Sequence, residues 1–119
     1  MRKQIKMVSR EECIREFMTF GKKLKTPNLF IDNDVLYSYG YHFPLCIRLK
    51  DGFIINKSKY SSTTSRQQNC CRNCANGEVL EVRTNKIGEI LNTFGSVNKS
   101  EILFVDLIKH RILEAFENA

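Results

Sequence analysis

One segment, residues 35–49, places an apolar or aromatic side chain at every odd position. These residues are Val35, Tyr37, Tyr39, Tyr41, Phe43, Leu45, Ile47 and Leu49. Successive side chains of a β-strand point to opposite faces of a sheet, so the pattern predicts that the odd residues face the core and the even residues face outward. Because strands usually have about 5–6 residues, we also expect a bend at Gly40 or a break at Pro44, which has no amide hydrogen to donate.

The segments on either side of this region predict further strands. Lys50-Asp51-Gly52 is typical of a hairpin turn, since glycine accepts a positive φ angle. Residues 53–56 then return as the next strand, and short strand patterns occur at residues 29–31 and 78–83. We therefore expect an antiparallel sheet of three to four strands, formed by residues 29–56 and 78–83.

Four segments carry the signals of packed helices, at about 9–24, 63–75, 85–94 and 98–117. The first begins with a capping box formed by Ser9 and Glu12. The last is apolar on nearly all sides, which burial under the sheet or a homodimer through this helix would both explain. The order of elements predicts a single α+β domain over residues 1–119, with helices covering the sheet.

The composition is that of an ordinary globular protein, with 42% hydrophobic and 27% charged residues. No apolar stretch approaches the roughly 20 residues that cross a bilayer, and the first residues lack a signal-peptide pattern. The cysteines are odd in number, five in all. We therefore expect a cytoplasmic protein in a reducing compartment, with no membrane contact and no cofactor.

The net charge of +6 is unevenly distributed. Residues 1–25 carry eight basic and three acidic side chains, and residues 48–72 carry six and one. Residues 73–119 carry five basic and seven acidic side chains. Such asymmetry favours a polyanionic partner such as nucleic acid, although a solvated basic surface would give the same counts.

Five consecutive hydroxyl residues at the start of the second helix form the strongest candidate site. They are Ser61, Ser62, Thr63, Thr64 and Ser65, preceded by Lys57 and Lys59 and followed by Arg66. A helix N-terminus presents unpaired amides and a positive partial charge, which together bind anions. Capping explains one or two of the hydroxyls but not five. The pattern predicts a phosphate or nucleic-acid site, and no Gly-rich Walker sequence accompanies it.

His42 falls at an even position of the alternating region, as do Ser38 and Arg48. A histidine exposed beside basic residues is a candidate general acid or base for phosphodiester cleavage. We therefore include His42 and Arg48 among the candidate phosphate-binding residues. A structural histidine is the simpler interpretation, because no second catalytic group is evident.

Cys70, Cys71 and Cys74 form a CCxxC pattern that invites comparison with zinc sites. On a helix, Cys70 and Cys74 share one face, while Cys71 points away from it. The paired Cx2C spacings of zinc ribbons are absent. Buried free thiols are the expected interpretation, and a metal site at these three cysteines is the weaker alternative.

Two stretches of the chain resemble a known pattern. They are Tyr37 to Leu45, YSYGYHFPL, and Lys59 to Gln68, KYSSTTSRQQ. They are similar to a signature, YSYGxHFPL…KYSxTTSRxQ, of an uncharacterised family of small proteins encoded by phages and mobile elements. Those proteins often have a histidine where this chain has Gln67. The resemblance implies a viral or mobile-element origin and a role in binding host factors, such as inhibition of a host defence system, but it implies no catalytic residue.

These observations suggest three functions, of which we favour the first. It is the binding of nucleic acid or another polyanion through the Ser/Thr/Arg-rich start of the second helix. The alternative is a protein–protein inhibitor or adaptor that acts on a host factor. The third is a small nuclease that uses His42, although we expect that the protein is not an enzyme.

Overall fold

The chain folds as helices packed on a five-stranded sheet, in the order expected of an α+β domain. The computed structural model describes residues 9–113. The helices are α1 (Arg10–Phe20), α2 (Ser62–Cys74), α3 (Thr84–Phe94) and α4 (Phe104–Lys109), with a 3-10 turn at Lys99–Glu101. The strands are β1 (Leu29–Asp32), β2 (Val35–Ser38), β3 (Pro44–Arg48), β4 (Gly52–Asn56) and β5 (Glu78–Val82). The predicted fold class is confirmed.

The strands lie side by side in chain order, from β1 at one edge to β5 at the other. The first four are antiparallel, as predicted. β5 instead runs parallel to β4, with Phe53 opposite Val79. The reason is the connection, because α2 carries the chain from the end of β4 to the start of β5, and such a crossover joins parallel strands. The sheet is therefore mixed and has five strands, not three or four antiparallel ones.

The alternating region is two strands joined by a reversal of the chain. β2 ends at Ser38 and β3 begins at Pro44, so the expected interruption is present. Within the turn, Tyr39 has a φ angle of 68°, a left-handed conformation that is rare for a bulky residue. The pairing also slips between Leu36 and Tyr37, whose partners are Cys46 and Pro44. Leu45 lies between these two partners and is not paired with a residue of β2 in this register, as in a β-bulge.

Both faces of the sheet are buried, so the predicted division into inward odd and outward even residues is wrong. One face buries Leu36, Phe43, Leu45, Cys46, Phe53 and Ile55, and the other buries Val35, Tyr37, Ile47, Leu49 and Ile54. A strand covered on both faces is apolar at consecutive positions rather than at alternate ones. The bulge and the turn move odd residues from one face to the other.

Helices on both sides make the sheet the middle of three layers. α1 and α2 cover the first face with Cys13, Ile14, Phe17, Met18 and Cys71. The second face is covered by α3, the 3-10 turn region and α4, through Ile87, Ile90, Ile102, Phe104 and Leu107. Arg72 on α2 also holds β5, since its guanidinium donates two hydrogen bonds of 2.9 Å to the carboxylate of Glu81.

α1 begins as predicted and ends earlier. Ser9 Oγ accepts a hydrogen bond of 3.0 Å from the amide of Glu12, which caps the first turn. Gly21 then takes a left-handed φ of 72°, and its amide bonds to the carbonyl of Phe17. A left-handed glycine is a common helix end, so the predicted end near residue 24 is too late.

The predicted helix over residues 98–117 is shorter and interrupted. After the 3-10 turn, α4 starts afresh, with the amide of Leu103 bonded to the carboxylate of Asp106 at 3.0 Å. Phe104 and Leu107 of α4 are buried against the sheet, whereas Val105 is exposed. Residues 114–117 lie outside the described part of the chain. Among residues 9–113, no helix has the length and apolar character needed to span a membrane.

Candidate nucleic-acid interface

Two helices start at the end of the sheet where β2, β4 and β5 finish, which we call the upper end. β4 finishes at Asn56 and α2 starts at Ser62, while β5 finishes at Val82 and α3 starts at Thr84. The parallel register of β4 and β5 brings these two starts to the same side. The end of β4 is tied to the start of α3, since Asn56 Nδ2 donates a hydrogen bond of 2.9 Å to Thr84 Oγ1.

α1 starts at the upper end as well, because it runs parallel to α2. Arg10 at the start of α1 lines one cleft together with Thr63 at the start of α2. Thr19 and Cys74, near the far ends of the same two helices, line a second cleft. Three helices thus direct their unpaired amides and positive dipole ends toward the upper end of the sheet.

Two of the five hydroxyl side chains are used to cap α2. Ser61 Oγ accepts a hydrogen bond of 3.1 Å from the amide of Thr64, and Thr64 Oγ1 accepts one of 2.9 Å from the amide of Ser61. Thr64 is fully buried. Ser62 is exposed, and Thr63 and Ser65 are partly exposed. These three hydroxyls are therefore the ones available to a ligand.

Exposed cations surround the three helix starts. They are Lys57 and Lys59 on the loop before α2, Arg66 within α2, Arg10 at the start of α1 and Arg83 just before α3. None of these side chains forms an ion pair within residues 9–113. Glu11 and Glu12 in the first turn of α1 supply opposing charge. The upper end is therefore predominantly positive.

Two buried amide side chains hold the lysine-bearing loop in place. Gln68 Nε2 donates hydrogen bonds to the carbonyls of Asn56 and Ser58, at 2.7 and 2.8 Å. Asn56 Nδ2 donates to the carbonyl of Pro44 at 2.7 Å. Sequence reasoning missed both residues, because a glutamine in a polar run gives no sign that it is buried.

Two exposed aromatic rings lie at the upper end, and one of them, Tyr60, directly follows Lys59. Tyr60 is 58% exposed and stacks on Phe43, with ring centroids 5.1 Å apart. Tyr39 is 48% exposed in the turn between β2 and β3, where its amide bonds to the carbonyl of Asn28 at 2.8 Å. Exposed rings beside basic side chains are the surface on which bases of single strands stack.

His42 lies in the turn and not on a strand face with Ser38 and Arg48, so that predicted grouping is wrong. Its ring is exposed and meets the Tyr60 ring edge to face, at 6.0 Å between centroids. No described side chain forms a hydrogen bond to the His42 imidazole. Ser38 is buried, and its hydroxyl donates to Gln67 Oε1 at 2.7 Å. The geometry supplies no partner for acid–base catalysis at His42 within the described residues.

The structure does not bring Arg48 to the hydroxyl residues. Pro44, the first residue of β3, lies at the upper end, and Arg48 is the last residue of this strand. Arg48 lines the second cleft, of about 590 Å³, together with Lys50 and Asp51. Its Nε is buried and has no hydrogen-bond partner in the described part of the chain. Arg48 therefore belongs to a different surface from Lys57, Lys59 and Arg66.

All five cysteines are free thiols. The hydrogen bond to Cys46 and complete burial raise the pKa of Cys71. Burial, with a contribution from Cys74, raises the pKa of Cys70 to about 12. Thiolates, not thiols, bind metals. Within residues 9–113, no three His, Cys, Asp or Glu side chains are placed to hold a metal ion.

Comparison of the chain with models of protein families, with curated proteins and with solved structures finds no match. The resemblance to phage and mobile-element proteins therefore stays a prediction. The geometry of the upper end is the basis on which a function is proposed below.

Proposed function

We propose that this protein binds nucleic acid at the upper end of the sheet. The observation that carries the proposal is the common direction of α1, α2 and α3, whose N-termini all point toward one end of the molecule, α1 and α2 on one face of the sheet and α3 on the other. Phosphate groups bind at helix N-termini, because free amides and the helix dipole both favour an anion. The exposed side chains of Lys57, Lys59 and Arg66 add charge at the same place.

The exposed rings favour single strands over duplexes. A duplex keeps its bases stacked on each other, whereas a single strand can lay its bases on Tyr39 and Tyr60 and its phosphates beside the lysines. Tyr60 stacks on Phe43 with an angle of 25° between the rings, which restricts the orientations open to the Tyr60 ring. A ring that is already restricted loses less conformational freedom when a base stacks on it.

Fluorescence anisotropy with labelled single- and double-stranded oligonucleotides of about 20 residues tests the proposal across a salt series. Affinity should fall steeply between about 50 and 200 mM salt, because phosphate contacts release counterions. The double variant Lys57→Gln/Lys59→Gln should bind more weakly, with a salt slope smaller by about 1.4 if both lysines contact single-strand phosphates.

The matched control is Lys22→Gln/Lys23→Gln, which removes the same charge just beyond the far end of α1. This double variant should keep the affinity and the slope, since its lysines lie away from the three helix starts. Equal losses in both double variants would show that only net charge matters. Absence of binding at low salt would refute nucleic-acid binding, and the alternative of a docking surface for a host protein would then be favoured.

A further inference from the structure

A cleft of about 440 Å³ lies at the upper end between the start of α1, the segment before β1 and the first turns of α2. Its lining includes Ser9, Arg10 and Glu11 from the start of α1, and Thr63, Arg66 and Gln67 from α2. Thr26, Pro27 and Asn28 close it from the side of β1. The cleft has the size of sites that hold one small ligand.

Gln67 lines this cleft and carries a polar group that has no partner among the described residues. The side chain is 3% exposed, and Oε1 accepts the hydrogen bond from the Ser38 hydroxyl. Nε2 is buried and has no hydrogen-bond partner within residues 9–113. The neighbouring Gln68 uses its Nε2 twice. Buried amide groups are nearly always paired, so an Nε2 without a partner in the described part of the chain points to an acceptor atom supplied by a ligand.

The charges around the cleft favour an anionic acceptor. Arg10 and Arg66 are exposed on its lining, and neither forms an ion pair with the other described residues. Arginine matches the oxygens of a phosphate with two parallel hydrogen bonds. The hydroxyl of Thr63 and the first amides of α2 add donors from the same side. Among the described residues that line the cleft, Glu11 is the one with a carboxylate, and its negative charge opposes an anion.

We propose that the cleft binds a phosphomonoester, with Arg10 and Arg66 pairing to its oxygens and Gln67 Nε2 donating to an acceptor atom of the same ligand. The volume exceeds what a phosphate group alone needs and accommodates the sugar or base attached to it. Two sources share this chemistry, the terminal phosphate of a bound strand and a free mononucleotide. The strand source rests on the proposed function, because the strand would lie across the same end of the sheet.

The test is a titration of the full chain with adenosine monophosphate, followed by amide chemical shifts, with adenosine as the ligand that lacks the phosphate. The monophosphate should shift the amides around Thr63 and Gln67, and adenosine should not. Arg10→Gln should weaken the monophosphate about 10-fold, as expected for a lost charge-assisted hydrogen bond. Arg15→Gln, on an exposed position of the same helix outside the cleft, is the matched control and should bind as the wild type does.

Two further variants should change the affinity for the monophosphate in opposite directions. Glu11→Gln should tighten monophosphate binding by about threefold, because it removes the opposing charge. Gln67→Glu keeps an acceptor for Ser38 but places a carboxylate against the phosphate, so it should abolish binding. Unchanged affinity in Arg10→Gln and Glu11→Gln, which alter exposed side chains and leave the core intact, would overturn the proposal without reference to Gln67.

Oligonucleotides with and without a 5′- or 3′-phosphate separate the two sources. Tighter binding of a phosphorylated end supports the strand terminus, and monophosphate binding without any end preference supports a free mononucleotide. Salt-dependent strand binding, without amide chemical-shift changes on addition of the monophosphate, would overturn the proposed phosphate site in the cleft. It would leave the proposed function unaffected. Monophosphate binding by a protein that binds no strand would support the cleft and refute the proposed function.

Discussion

Ser61 and Thr64 exchange hydrogen bonds across the first turn of α2, each accepting the amide of the other through its hydroxyl, at 3.1 and 2.9 Å. Thr64 Oγ1 also donates to the carbonyl of Ser61, at 2.9 Å. This closed arrangement separates the five hydroxyl residues into those that hold the helix start and those that are free to bind. Substitutions in the two groups of hydroxyl residues should therefore differ in their effect on stability.

Replacing Ser61 with alanine should lower the free energy of unfolding by about 1 kcal/mol, because the helix loses its N-cap acceptor. Ser62→Ala removes an exposed hydroxyl of the same chemistry one residue later, and stability should change by less than about 0.5 kcal/mol. Urea unfolding followed by circular dichroism measures both. If Ser62→Ala were as destabilising as Ser61→Ala, the assignment of the cap to Ser61 would be wrong.

Replacing Tyr60 with leucine should weaken single-strand binding about 10-fold, because stacking on one base contributes about 1–3 kcal/mol. Leucine keeps an apolar side chain against Phe43 but has no flat face. Phe20→Leu removes a ring of similar exposure, 65% at the end of α1, and should leave the affinity unchanged. Anisotropy at one fixed salt concentration compares the two variants. A similar loss of affinity in both variants would indicate that exposed rings act through nonspecific hydrophobic contacts and not through a specific stacking site.

The class of the fold and the start of α2 could be predicted from sequence because both depend on short-range patterns. Ser61 directly precedes a polar helix, and such capping signals act within one turn. The end of α1 at Gly21 is predicted too late, because Gly21 also fits the apolar periodicity of the helix. The direction of β5 was missed, although the crossover through α2 already implies a parallel strand. The burial of both sheet faces does not follow from the odd positions alone, but Leu45-Cys46-Ile47 is apolar at consecutive positions, as expected of a strand covered on both faces.

Most of the candidate site depends on contacts between distant parts of the chain. The exposed lysines and hydroxyls follow one another in sequence and could be grouped in advance. Arg10 joins them only because α1 and α2 are parallel, and Gln67 becomes notable only because Ser38 occupies one side of its amide. The alternation of side chains along a strand predicts that Arg48 shares a face with His42. β3 runs from Pro44 at the upper end to Arg48 at the opposite end, so the length of this strand separates Arg48 from the site.

The pH dependence of stability should report the buried thiols. Burial, reinforced by Cys71, raises the pKa of Cys13 to about 11. As the pH rises above about 9 the unfolded chain releases this proton first, so the native state binds more protons and the free energy of unfolding decreases. The stabilisation that the Cys13 thiol contributes is fully present below about pH 9 and is lost as the pH rises through about 11. Lys99 acts in the opposite sense, because burial lowers its pKa and stability then rises with pH toward 10.5.

The measurement is therefore the difference between the wild type and Cys13→Ala in denaturant unfolding at several pH values between about 8 and 11. The wild type should lose stability relative to the variant as the pH rises. Met18→Leu, which changes the same core cluster without removing a thiol, should shift the curve by a constant amount. Parallel curves for the wild type and Cys13→Ala would contradict the raised pKa.

Two glycines test how closely the layers pack. A Cβ added at Gly52 would overlap the carbonyl oxygen of Glu78 on β5 and the ring of Phe104 on α4, whereas one added at Gly88 meets nothing within 4 Å. Gly52→Ala should therefore cost about 1–3 kcal/mol or more, because backbone cannot move aside as a flexible side chain does. Gly88→Ala, inside α3, should gain about 0.5–1 kcal/mol, since alanine favours the helix. Thermal unfolding measures both, and a neutral Gly52→Ala would mean that β5 and α4 do not close on β4 as described. Gly52 begins β4 at the end of the sheet away from the three helix starts, so folded Gly52→Ala protein should still bind single strands with the wild-type salt slope.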